Sequence, residues 1–265
     1  MPALHFNVIS PTSRPAKSHV PTLYTHTLCP YAERAFLVLL EKGAPFNLVH
    51  VDLSCKPTWY RQVNPRGLVP AVEYKGAVHV ESLDICRWAD AKLEGPPLMP
   101  SDGSLRQEVD QLLGGVDSCV SAGLNLLAGR SGRYWGIGSG QSASQRAAFE
   151  AQLSNLQAAL QRHGGPFLAG PHPTLADIAY YPFIRRFGVG MERFAGYDVT
   201  TVLGGSVGRW LDAMGHRESC RVSSADDVLL LQAYERHRCL DFFDYDSYEV
   251  FDLHPQNRAY LPIAS

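Results

Sequence analysis

Apolar positions along this chain keep one rhythm before residue 95 and another after it. In the first stretch, strand-like and helix-like runs alternate. Val20–Thr25 alternates in strand fashion. Ala32, Ala35, Phe36, Leu39 and Leu40 then recur at the i, i+3, i+4, i+7, i+8 spacing of a buried helix face. Phe46–Val51 reads as a strand and Lys56–Gln62 as a short helix. Ala71–Tyr74 and Ala77–Val80 read as a hairpin turned at Lys75-Gly76, and Ser82–Leu93 as a helix. The order β-α-β-α-β-β-α predicts a mixed α/β domain over residues 20–94, preceded by a loose arm at 1–19. Gly95-Pro96-Pro97 breaks the chain and opens a linker over 95–103.

Beyond the linker only helical periods occur, which predicts an all-helical domain over 104–237. Leu105, Val109, Leu112, Val116, Val120, Leu124 and Leu127 form one long stripe, weakened by Gly114, Gly115 and Gly123. Residues 130–144, rich in Gly and Ser, read as a loop that strands Tyr134 and Trp135. Phe149, Leu153, Leu156 and Leu160 mark the next helix. Thr174 with Asp177, ahead of Ile178, Ala179 and Tyr180, matches a capping box with Asp in place of the usual Glu. Further helices fit Ser206–Met214 and Ser224–Arg236, and residues 238–265 form an acidic, aromatic tail.

Composition narrows the function classes. The 265 residues are 45% hydrophobic and 19% charged, with a formal net charge of -2. That is too near neutral to imply nucleic acid or an anionic membrane as the main partner. No apolar run reaches the roughly 18 residues of a membrane span, and the first twenty residues lack the apolar core of a secretory signal. Cysteines 29, 55, 86, 119, 220 and 239 show no disulfide-framework spacing. Free thiols in a reducing compartment, with a cytoplasmic location, are the expectation.

Within that frame Cys29 carries the strongest chemical signal. It stands between a strand and a helix, and Pro30 suits the first helical turn, where a missing N–H costs nothing. A sulfur at a helix N-terminus lies among unpaired amides and the positive end of the dipole, which favours thiolate over thiol. A lone cysteine is more often inert and buried, so the neighbouring motifs decide. Val69-Pro70 follows Asn64-Pro65-Arg66-Gly67 where the chain must turn into the hairpin. A cis Pro70 would leave the Val69 backbone facing outward, ready to pair with an extended peptide. Glu81-Ser82 opens the next helix. The ordinary reading is a capping serine after a surface acid. The functional one is a carboxylate, a hydroxyl and a helix-terminal amide that grip an α-amino and α-carboxylate pair.

Cys29-Pro30-Tyr31-Ala32, then Lys56, then Asn64-Pro65-x-Gly67-x-Val69-Pro70, then Glu81-Ser82, in that order, resemble the glutathione-binding half of a glutathione transferase. The similarity is greatest to the cysteine-type omega and lambda classes. The Thr174–Asp177 box resembles the capping element of that family's helical domain. The resemblance covers roughly residues 20–237 and implies a thioredoxin-like α/β N-terminal domain followed by an all-α C-terminal domain. It implies glutathione as co-substrate, no metal, and a small electrophilic or disulfide acceptor as partner. Homodimers are common among such proteins and monomers also occur. Cys29 would form a mixed disulfide with glutathione. Val69, held by cis Pro70, would pair with the cysteinyl backbone, Glu81 and Ser82 would bind the γ-glutamyl end, and Lys56 would meet the glycyl carboxylate. The implied activity is a thiol transferase or reductase, acting on glutathionylated thiols or on dehydroascorbate-type acceptors. The rivals are a conjugating transferase, which a serine or tyrosine at position 29 would favour, and a non-catalytic ligand-binding protein of the same fold.

Ala32 occupies the place where a Cys-x-x-Cys motif has its second thiol, so a monothiol route is expected. Cys55 and Cys86 are the nearest conceivable resolving thiols. Tyr31, Tyr134, Trp135, Tyr180 and Tyr181 are candidates for an acceptor pocket between the domains, and Arg185 and Arg186 for an acidic co-substrate. His216 with Cys220, and His237 with Cys239, are too loosely spaced for a metal signature. Gly136-Ile-Gly138 follows no strand and makes no phosphate loop.

Overall fold

Pro30 starts a helix because it cannot donate to a preceding carbonyl, and Gly43 ends it because it adopts φ 64°, which side chains disfavour. Between these signals α1 runs Pro30–Lys42 in a computed structural model that describes residues 5–53, 55–128 and 142–237. The chain divides into two compact units. One takes in the residues up to Pro96 together with Val222–Asp226, and the other runs from Pro97 to Arg221 and resumes at Asp227.

The first unit is a five-stranded sheet with helices. Its strands are β1 (Phe6–Ile9), β2 (Thr22–Thr25), β3 (Phe46–His50), β4 (Ala71–Tyr74) and β5 (Ala77–Val80), in the order β1-β3-β2-β4-β5. β3 lies parallel to both β1 and β2, whereas β4 is antiparallel to β2 and β5. The parallel β2–β3 pair needs a crossover, and α1 supplies it. The hairpin turns at Lys75 (φ 49°) and Gly76 (φ 80°), two successive positive φ values that suit a tight two-residue loop. A 3₁₀ turn spans Thr58–Gln62, and α2 (Ser82–Lys92) packs against α1.

Residues 1–19 were expected to be a loose arm; the described part is tied down. Phe6–Ile9 pairs in register with Phe46–Val49, and Phe6 stacks on Phe46 and meets Phe36 edge-on. Trp59 Nε1 donates to the Pro11 carbonyl at 3.1 Å, and Arg14 reaches the Glu73 carboxylate at 3.2 Å. Every one of these anchors lies far away in sequence, so a strand of four residues carried no local sign of its partner.

Helix α1 is also more deeply buried than a one-sided apolar stripe implies. Glu33, Arg34, Glu41 and Lys42 are all buried. Glu33 accepts from the Ser224 hydroxyl at 2.7 Å, and Lys42 Nζ donates to the Pro96 carbonyl at 2.9 Å and to Asp90 Oδ1 at 3.2 Å. Gly95 is required at the break. It holds φ 119°, and a Cβ there would come within 1.9 Å of the Lys42 carbonyl oxygen.

The second unit is helical: α3 (Gly103–Ala128), α4 (Ala143–His163), α5 (Leu175–Ala195), α6 (Ser206–Gly215), α7 (Glu218–Ser223) and α8 (Asp227–His237), with a 3₁₀ turn at Val202–Gly205. The glycines of α3 do not interrupt it. A Cβ on Gly123 would fall 2.2 Å from the Phe187 ring, so the missing side chain lets α5 approach closely. At the start of α5, Asp177 is fully buried. It accepts from the Thr174 N–H (2.8 Å) and hydroxyl (2.9 Å), the Leu168 N–H (2.9 Å) and the Trp210 indole N–H (2.9 Å). α7 is not evident in the apolar period, and the helix expected at Ser224–Arg236 begins at Asp227. The intervening residues, Val222–Asp226, belong to the first unit.

Candidate functional site

Core packing sets the position of Cys29. It caps α1 in extended conformation (φ -81°, ψ 112°), its N–H donates to the His26 carbonyl at 3.0 Å, and its carbonyl accepts from Glu33 N–H at 3.0 Å. The residue is 3% exposed and sits in a cluster with Tyr24, Ala32, Val49, Tyr60, Val69 and Ala71. That small exposure opens into a cleft lined by Tyr31, Lys56, Val69, Pro70, Glu81 and Ser82 as well as by Cys29. The sequence motifs, scattered over more than fifty positions, thus share one cleft of the first unit.

The loop that carries Val69 is held from behind. Tyr60 Oη and Asn64 Nδ2 both donate to the Leu68 carbonyl, at 2.7 and 2.8 Å. Asn64 Oδ1 accepts the Arg66 N–H at 3.1 Å, and its carbonyl accepts the Gly67 N–H at 2.8 Å. The Val69–Pro70 bond is cis, as the motif predicted, and the Val69 carbonyl lies 3.9 Å from Cys29 Sγ. Burial, followed by the charges of Tyr24 and Cys29, pushes the Tyr60 phenol above its ordinary range. Tyr60 is therefore a neutral donor to its carbonyl at neutral pH.

Across the cleft, α2 starts at Ser82 rather than one residue later, so Ser82 is not the capping serine of the ordinary reading. Glu81 holds the cap position at φ 62°, a conformation L-residues rarely adopt and one that costs about 1–3 kcal/mol. Ser82 is 6% exposed, and its oxygen accepts from the buried guanidinium of Arg34 at 3.3 Å. A hydroxyl that accepts on one side has its proton left for donation on the other. Arg34 lies 5.2 Å from the Tyr31 ring centroid. Arg66 extends from the Val69 loop to Glu81, guanidinium to carboxylate at 2.7 Å. Asn64 stands in the Asn64-Pro65-x-Gly67 motif without an assigned role, Arg66 is that motif's variable position, and Tyr60, outside it, has no sign in the sequence.

Other candidates separate from this cleft. Tyr181 is buried in the second unit, edge-on to Trp210 with centroids 6.3 Å apart, and does not line the Cys29 cleft. Tyr180 is likewise buried and donates to the Leu112 carbonyl at 2.8 Å. Tyr134 and Trp135 lie outside the described residues, as do the 238–265 tail and most of the 130–144 loop. Cys86 is buried with its thiol pushed up to about 12 by desolvation, so it supplies no thiolate at neutral pH. Cys55 is exposed. Arg186 is buried, and Arg185 pairs with Asp227. Among the described residues no cluster of three or more His, Cys, Asp or Glu side chains could hold a metal, and no helix is long and apolar enough to cross a membrane.

The comparisons with known proteins bear on the two units as wholes. Residues 28–92 match the glutathione S-transferase N-terminal domain, and residues 106–214 match the corresponding C-terminal domain. The chain is 34% identical to Protein IN2-1 homolog B of Oryza sativa over 182 residues, covering 67% of this chain and 69% of that protein. It is 30% identical to glutathione S-transferase L1 of Arabidopsis thaliana over 219 residues, covering 81% and 86%. Among solved structures, glutathione transferase Omega 3C from Trametes versicolor superposes with a TM-score of 0.70 at 27% identity, covering 84% of this chain and 91% of that one. A mixed-sheet unit bearing the cysteine cleft, a helical unit and these matches together place the chain in the glutathione S-transferase family, among its cysteine-type members.

Proposed function

We propose that this glutathione transferase works as a monothiol thioltransferase or reductase rather than as a conjugating enzyme. One observation carries the reading: the residue at the α1 cap that opens into the cleft is a cysteine, and position 32, one turn on, is alanine. A sulfur there can enter and leave a disulfide. Its environment, at a helix N-terminus, favours the attacking thiolate.

Glutathione is the co-substrate of the family. Its extended tripeptide carries a zwitterion at one end and a carboxylate at the other. Lys56 would take the glycyl carboxylate, the Val69 backbone would pair with the cysteinyl residue, and Glu81 and Ser82 would hold the γ-glutamyl end. A strand-like contact between two charged clamps would present the glutathione sulfur to Cys29. On a glutathionylated thiol, the Cys29 thiolate attacks the glutathione sulfur, the Cys29–glutathione disulfide forms, and the acceptor leaves as its thiolate. A second glutathione thiolate then attacks the mixed disulfide, releasing Cys29 and oxidised glutathione. With a dehydroascorbate-type acceptor the Cys29 thiolate adds to an acceptor carbonyl, a first glutathione thiolate attacks the Cys29 sulfur to form the mixed disulfide as the acceptor leaves reduced by two electrons, and a second glutathione thiolate releases Cys29 with oxidised glutathione as product.

Mass spectrometry after mixing with oxidised glutathione, alongside a hydroxyethyl-disulfide exchange assay, tests the proposal. The expected result is one glutathionyl group on Cys29 and turnover that depends on it. Absence of both, with conjugation of an aromatic halide intact, would transfer the chain to the conjugating class.

A further inference from the structure

We propose that Arg66 and Glu81 together form a clamp for the zwitterionic γ-glutamyl end, with Glu81 taking the ammonium and Arg66 the α-carboxylate. This rests on the glutathione reading above and adds to it a specificity-determining residue that no motif in the sequence marks.

Arg66 Nη1 lies 2.7 Å from Glu81 Oε1, and both residues line the cleft that holds Cys29 and Ser82. The two come from different elements, the Val69 loop and the start of α2. The base of the arginine is fixed, because its N–H donates to Asn64 Oδ1 and the next residue, Gly67, turns the chain at φ 65°. The heads are not fixed: the Arg66 and Glu81 side chains are 66% and 60% exposed. An exposed ion pair holds itself together weakly, so a ligand that offers each partner its opposite charge can open it at little cost. An α-amino acid end does so, with one cation and one anion on a single carbon. The planar guanidinium suits the carboxylate, which it can meet through two parallel N–H donors.

The surroundings orient the exchange. Arg34 stands behind Ser82, donating to its oxygen at 3.3 Å, so the Ser82 side of the cleft carries a second guanidinium and a hydroxyl proton. Those groups favour the carboxylate there, and Glu81 is left as the partner for the ammonium. A ligand lacking either charge would meet one half of the clamp unsatisfied.

Three thiols separate the contributions: glutathione, 4-aminobutanoyl-cysteinylglycine, which lacks only the α-carboxylate, and glutaryl-cysteinylglycine, which lacks only the amine. Each is supplied as its mixed disulfide with 2-mercaptoethanol, so that the tripeptide half occupies the cleft as it passes to Cys29, with dithiothreitol as the common releasing thiol, for the full chain and for Arg66→Gln and Arg66→Lys. In Arg66→Gln the KM for the glutathione mixed disulfide is expected to rise about tenfold with kcat changed less than about twofold, the pattern of a ground-state contact. That variant should lose most of the wild-type preference for glutathione over the carboxylate-free thiol and keep its preference over the amine-free one. Arg66→Lys should restore part of the loss. A purely structural role would change neither preference selectively. Should Arg66→Gln discriminate among the three thiols as the wild type does, while glutathione still saturates and labels Cys29, the Arg66 role is overturned and the glutathione reading stands. No saturation and no label in the wild type would overturn both.

Discussion

Cys29 Sγ and the Val69 carbonyl oxygen stand 3.9 Å apart, although forty residues separate them in the chain. The proposed nucleophile and the proposed peptide-pairing edge therefore adjoin in one cleft. Cys29→Ser should abolish disulfide exchange, since a serine oxygen can neither form nor release a mixed disulfide. Glutathione affinity should stay within about threefold, because the clamps do not depend on the sulfur. The bound glutathione thiolate would then face a hydroxyl and a helix terminus, and weak conjugation toward an aromatic halide is expected. Exchange kinetics and calorimetric titration of the variant check both halves; full reductase activity in Cys29→Ser would contradict the mechanism.

Lys56 lines the same cleft, half-buried, and its proposed partner, the glycyl carboxylate, is remote from the reacting sulfur of glutathione. Lys56→Ala should raise the KM for glutathione while leaving kcat nearly unchanged, since such a contact is made equally in the ground and transition states. Loss of a charge-assisted contact suggests about 1.5–3 kcal/mol, or roughly ten- to a hundredfold in KM. A saturation curve identical to wild type would return Lys56 to the ordinary surface lysines.

Glu81 combines backbone strain with a charged side chain, and the two can be separated. Glycine adopts φ 62° without penalty. Glu81→Gly is therefore expected to hold or raise the melting temperature, with relief of about 1–3 kcal/mol set against the extra unfolded-state freedom of glycine. The same substitution should weaken glutathione binding. A variant that loses both stability and binding would mean the φ 62° conformation is not a site of strain.

Four donors converge on the buried Asp177 carboxylate. Asp177→Ala leaves the Trp210 indole and two backbone N–H groups without their acceptor. The cost expected is about 3–5 kcal/mol, since each buried donor left unmet costs about 1–3 kcal/mol and the neighbours relax in part. Asp177→Asn keeps one acceptor oxygen and should lose less. Urea midpoints of the two variants against wild type measure the difference.

His50 is a pH lever on stability. Burial lowers its pKa to about 4, and Thr27 Oγ1 lies 3.5 Å from its Nδ1. The unfolded chain binds a proton near pH 6.5, the folded chain only near 4, so the neutral imidazole contributes its stability above about pH 6.5 and that contribution falls away as pH drops toward 4. The total is on the order of 3 kcal/mol. His50→Gln should flatten the decline of unfolding free energy across this window, and parallel curves for the two proteins would count against the lowered pKa.

Much of the first unit was legible because its signals are local. The Lys75-Gly76 turn, the Pro30 start and the 3.6-residue period of α1 each involve residues a few positions apart, and the hairpin strands were found at their observed limits. The same holds for Cys29, Lys56, Val69 and Glu81-Ser82, whose residue types and order survive as a motif without knowledge of where they meet. β1 was not legible, since its pairing with β3 and its contact with Phe36 lie some thirty to forty residues away. Nor was the burial of α1, whose charged residues look solvated in sequence although Glu33, Arg34 and Lys42 meet partners distant in the chain.

From the amino-acid sequence alone came the order of the elements from β2 to α6 and the proposed nucleophile and clamp residues, because helix caps, turns and side-chain chemistry are properties of neighbouring residues. Tertiary structure alone decided that Ser82 accepts from Arg34 instead of capping its helix, that Tyr181 packs in a core, and that Arg66 reaches Glu81. These are distances between segments, set by how sheet and helices pack, and no periodicity along the chain encodes them.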